Sequence, residues 1–168
     1  MKSIFCRAKR AKNCSYRMTD LVKDALRKAA MFCAYQERTQ QEVRERLKEW
    51  GIWGDDAEEV IAELIQQNYL NEERFAKSFA GGKFRVKGWG KRKIKQHLQQ
   101  RGISGYNLDQ AMKEIAPDDY QDTLRELLAK KRQSLRNDSP LVVKQKLVRY
   151  ALSKGYESEL IFSVLNEE

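Results

Sequence analysis

Val43-Arg-Glu-Arg-Leu47-Lys-Glu-Trp-Gly51 places two apolar residues four apart and a glycine four further on. The same spacing returns in Ile94-Lys-Gln-His-Leu98-Gln-Gln-Arg-Gly102 and in Leu147-Val-Arg-Tyr-Ala151-Leu-Ser-Lys-Gly155, so a unit of about 50 residues occurs three times. Residues four apart share one face of a helix, and the glycines fall where a helix would end on a left-handed residue. The likeness continues downstream. Ala57, Leu108 and Ile161 stand six past each glycine, followed by Val60-Ile61, Ala111-Met112 and Val164-Leu165.

Working outward, the first unit carries three helical stripes: Leu21, Val22, Ala25, Leu26, Ala29 and Phe32; then Val43, Leu47 and Trp50; then Ala57, Val60, Ile61, Leu64 and Ile65. Alternation of period two is nowhere sustained, which excludes strands as the main element. Thr39 with Glu42 forms a capping box and Asp55 with Glu58 resembles one. Asn71 precedes two glutamates, and Ser139 precedes a proline at a first helical position. The expected fold is all-α, three tandem three-helix repeats in an elongated, curved array. The repeats span 20–68, 69–117 and 118–168 behind a basic tail, 1–19, with breaks at Pro117 and at 136–140.

The three cysteines show no CxxC spacing and His97 is the only histidine, so neither a disulfide framework nor a zinc site is expected. Gly88-Trp89-Gly90 lacks the third glycine and the preceding strand of a dinucleotide loop, and no phosphate-loop motif occurs. The reading is therefore a protein without cofactor, metal or catalysis. No apolar run reaches the roughly 18 residues of a membrane span, and no apolar signal segment opens the chain, which points to a soluble cytoplasmic protein with no membrane partner.

The net charge of +9 is unevenly placed. Residues 1–19 hold +6 and residues 74–108 hold +10, both without an acid, which leaves the remainder at −7. A long stretch of one sign repels itself unless it meets an anion, and phosphate backbones are the commonest such partner. Lys91, Arg92, Lys95 and Arg101 are the leading candidate contacts, with Lys83, Arg85, Lys87 and Trp89 supporting. Lys91, Lys95 and, one position off, Arg92 share a helix face opposite Ile94 and Leu98. Trp50 reads as core and Trp53 as cover for a helix end. Trp89, between two glycines, reads equally as packing or partner contact, and His97 as pointing to solvent or a partner. Tyr69, Tyr106 and Tyr156 look structural.

Three linked segments carry a family resemblance. They are Tyr35-Gln-Glu-Arg38-Thr39-Gln-Gln-Glu-Val43 through Gly51, then Tyr69-Leu70-Asn71-Glu72-Glu73-Arg74-Phe75-Ala76, then Gly88-Trp-Gly90-Lys-Arg92-Lys-Ile94 through Leu98, Arg101, Gly102 and Ile103. Over about residues 20–168 the chain resembles the bacterial RecX regulators of the RecA recombinase. The departures are the basic tail, Ala151 in place of a larger residue, and Gly81-Gly82, where the first helix of the second repeat is expected to bend or end. The resemblance implies a monomer lying along the groove of the RecA–DNA filament. There it would touch recombinase and single- or double-stranded DNA, restraining ATP hydrolysis, strand exchange and the co-protease function of the SOS response. Two readings stay open beside it: a free-standing helical-repeat nucleic-acid-binding protein, and a structural adaptor.

Overall fold

The computed structural model describes residues 19–135 and 139–167; the expected tail and most of the 136–140 break lie outside them. The described residues form only helices: α1 Asp20–Tyr35, α2 Gln40–Glu49, α3 Asp55–Gln66, α4 Glu72–Lys87, α5 Lys91–Gln99, α6 Gly105–Lys113, α7 Pro117–Gln133, α8 Pro140–Lys154 and α9 Ser158–Glu167. They pack in threes: α1 to α3, α4 to α6 and α7 to α9.

Local sequence sets the ends. Thr39 and Glu42 close the capping box at α2, and Asn71 caps α4 by accepting from the Arg74 N–H at 2.9 Å. The Asp55–Glu58 box does not form, because Gly54, at φ 63°, takes the cap position and puts Asp55 inside the first turn, where its charge meets the helix dipole. Gly51, Gly102 and Gly155 all adopt positive φ at helix ends. The expected break at Gly81-Gly82 is absent. α4 runs through both glycines because Phe75, Ala76, Ala80, Gly81 and Phe84 are buried, and close packing of α4 on α6 outweighs about 1 kcal/mol of helix propensity per glycine.

Two hydrophobic cores result. One lies in the first repeat, from Val22 through Val43, Leu47, Val60 and Leu64, and takes in Leu70 just past its expected end; Cys33 joins it, while Leu21 is left outside at 63% exposure. Burial pushes the Cys33 thiol up to about 11, so it behaves as a small apolar group. The other runs without interruption from Phe75 through Ile94, Leu98 and Leu124 to Ile161 and Val164, shared by the second and third repeats. Each fully buried Leu or Ile contributes about 2 kcal/mol.

Candidate nucleic-acid interface

The acid-free stretch folds into the end of α4, the Gly88-Trp89-Gly90 turn and α5. Gly88, at φ 59°, ends α4 with its N–H on the Phe84 carbonyl at 2.9 Å. Gly90 then presses against Gly155: a Cβ at Gly90 would overlap the Gly155 carbonyl, and one at Gly155 would overlap Lys93 at the start of α5. The Gly90 N–H donates to the Lys154 carbonyl at 2.8 Å and the Arg92 N–H to the Gly155 carbonyl at 3.1 Å. The Lys91 N–H donates to the Tyr120 hydroxyl at 2.9 Å, which itself donates to Glu157 Oε2 at 2.7 Å. Burial pushes the Tyr120 hydroxyl up, so it stays a donor at neutral pH. The start of α5 is thus fixed on the third repeat by main-chain bonds.

This mounting presents cations over aromatic rings. Trp89 packs on His97, ring centroids 4.7 Å apart, with the Lys93 ammonium 4.9 Å and the Lys83 ammonium 5.5 Å from the indole. Lys83 and Arg101 both lie over Phe79, at 5.2 and 5.1 Å, and Arg101 donates to the His97 carbonyl at 3.1 Å. Burial first, then Arg101, Lys93 and Lys83, hold His97 below the ordinary imidazole value. Among the described residues none of these cations meets a carboxylate, whereas Arg74 pairs with Glu37 and Lys77 with Glu73.

The expected contacts therefore divide. Lys83, Trp89 and Arg101 converge on His97; Lys91 lies 4.8 Å from the Tyr120 ring. Arg92 and Lys95 are exposed on the outer side of α5, and Lys87, also exposed, ends α4. Arg85 lies about half a turn of helix away from Lys83, folded over Gly81 beside Arg74, Lys77 and Glu114, so it leaves this face. Lys93 and Phe79, which are not among the expected contacts, join this face, and His97 packs on Trp89 within it. The signal was present: Trp89, Lys93, His97 and Arg101 recur every four residues, as do Phe79, Lys83 and Lys87. Trp53 lies with its ring edge over Gly51 at the end of α2 while staying 68% exposed, and Tyr156 is buried, stacked on Tyr120 at 4.9 Å. Tyr69 and Tyr106 are exposed.

Family models of the first, second and third three-helix domains of RecX match residues 25–64, 71–112 and 118–165. A Regulatory protein RecX of Pasteurella multocida is 34% identical, over 75% of this chain and 76% of that protein. The chain belongs to the RecX family. Its identity to the RecX of Clostridium perfringens is 32%, over 76% of the chain and 60% of the relative; to that of Bacillus cytotoxicus it is 28%, over 87% and 54%. The chain thus spans only about half to three fifths of the length of these two RecX proteins. The crystal structure of RecX from Lactobacillus salivarius has the same fold, with a TM-score of 0.81 at 24% identity, covering 88% of this chain and 96% of that one. No described helix is long and apolar enough to cross a membrane.

Proposed function

We propose that this RecX chain is a non-enzymatic regulator that lies in the groove of the RecA–DNA filament and restrains the recombinase. The observation that carries the reading is the cation cluster over Trp89 and Phe79, beside His97 and without a carboxylate partner among the described residues, held at the joint of two repeats. Cations without carboxylate partners keep their full attraction for phosphate, and fixed rings beside them offer a surface for unstacked bases. Clamping adjacent protomers in one arrangement slows the ATP cycle when that arrangement is bound better than the others, and it requires no chemistry from the regulator.

The test is the single-stranded-DNA-dependent ATPase rate of the cognate RecA as the chain is titrated in, beside two triple alanine variants, Lys91/Arg92/Lys95 and Lys83/Lys93/Arg101. The expected result is a fall in rate below one regulator per recombinase, lost in the second variant and weakened in the first. Salt dependence should flatten by about 0.7 in slope per phosphate contact removed. An unchanged ATPase with tight binding to naked DNA would favour the free-standing nucleic-acid binder instead.

A further inference from the structure

The third repeat departs from the other two on its outer face. At the positions where the first repeat has Arg44, Lys48 and Glu58, and the second has Lys95, Gln99 and Asp109, the third has Val148, Leu152 and Phe162. In the first repeat this site is an ion pair, Arg44 to Glu58 at 2.7 Å. In the third it is a shallow groove of about 470 Å³ along α8 and α9, lined by Leu141, Val148, Leu152 and Phe162 and edged by Lys144 and Arg149. α8 already buries Leu147 and Ala151 in the core, so it carries a second apolar stripe at i, i+7 and i+11. Leu141 stays 69% exposed, Phe162 45% and Leu152 44%, more apolar surface than replacing one ion pair requires.

We propose that this α8–α9 groove docks an amphipathic helix with acidic flanks, supplied by another protein. Charge selects the occupant. Among the described residues Arg149 meets no carboxylate and Lys144 reaches only the Asn166 amide, at 3.2 Å, while Glu159 is the one acid within a turn of Phe162 in the sequence. A second copy of the chain would set these cations against each other, and the chain's own residues 1–18 carry six cations and no acid. A partner helix with apolar residues at i, i+3 or i+4 and i+7 fits the stripe, and flanking Glu or Asp meets Lys144 and Arg149. The inference is independent of the cation cluster on α4 and α5.

The test is selection from a displayed library of helical peptides against the full chain, with counter-selection against the triple variant V148R, L152K and F162E. That variant installs the first repeat's own pattern, and circular dichroism checks its helicity. Selected peptides are expected to combine the apolar spacing with acids on both flanks. They should bind the triple variant at least about tenfold more weakly, and Arg149→Glu about threefold more weakly, differences of about 1.4 and 0.7 kcal/mol. Failure to enrich any peptide over the triple variant, enrichment without acids, or a dimer of the chain abolished by that variant would each overturn the proposal. Neither readout depends on recombinase ATPase, so the two readings fail separately.

Discussion

Where the first repeat meets the second, side chains make the bonds: Arg74 to Glu37 and to the Asn68 side-chain and main-chain oxygens, and Glu72 Oε1 accepting from the Gln40 N–H at 3.4 Å. Where the second meets the third, two backbones interlock at Gly90 and Gly155 and one apolar core passes beneath them. Side-chain ion pairs in water hold little energy and adjust to strain, whereas a glycine-to-glycine approach has one geometry. The same chain thus contains an adjustable joint and a fixed one. The cations over Trp89 belong to the fixed one.

Gly90→Ala should have the largest effect of the substitutions considered. Its methyl group would have to displace the Gly155 carbonyl, so urea unfolding should show a loss of about 3 kcal/mol, at the upper end for overpacking. Gly102→Ala makes the comparison. That glycine also has positive φ, 79°, but the nearest atom to its Cβ would be Gln41 Oε1 at 3.7 Å, so only the left-handed backbone is strained, about 1 kcal/mol. Equal losses at the two sites would remove the distinction between close approach and conformation.

The stacked tyrosines sharpen the same contrast. Tyr120→Phe strands the Lys91 N–H and removes a donor from Glu157, for an expected cost of about 2 kcal/mol by thermal or urea unfolding. Tyr156→Phe should cost almost nothing, since that buried hydroxyl has no hydrogen-bond partner and the ring stack survives. At the other joint, Arg74→Ala should lose less than about 1 kcal/mol, because its side chain is 41% exposed and its bonds are screened by water. A loss matching that of Tyr120→Phe would show the first joint to be as firm as the second.

Much of this was legible beforehand. The i, i+4, i+8 pattern ending in glycine marks all three middle helices, because a helix stop and an apolar face are local properties. The fixed joint was not legible. Gly155 reads identically to Gly51 and Gly102 as a helix end, and nothing nearby in sequence says that Gly90, 65 positions earlier, will press against it. The side of α4 on which Arg85 lies is illegible for a related reason: a charge run gives sign and density, but which side of α4 faces α6 is decided by packing. Trp89, Lys93, His97 and Arg101 needed only the four-residue spacing applied to polar residues as well as apolar ones.

The smallest expected effect is the most discriminating about the site. His97 is the chain's one histidine, so its imidazole protons give one set of resonances in a titration. Its proton affinity is held down by burial and by Arg101, Lys93 and Lys83. A folded-state value below the unfolded one means that the associated stability is present above about pH 6.5 and is lost as the pH falls through the folded value. His97→Gln should therefore flatten the stability profile below that pH. Phosphates seated on the cation cluster would neutralise the three neighbours, and an oligonucleotide should then move the His97 titration upward. Nucleic acid held by Arg92 and Lys95 on the outer side of α5 would leave it nearly unmoved. The direction of one histidine titration thus separates the two sides of a single basic helix.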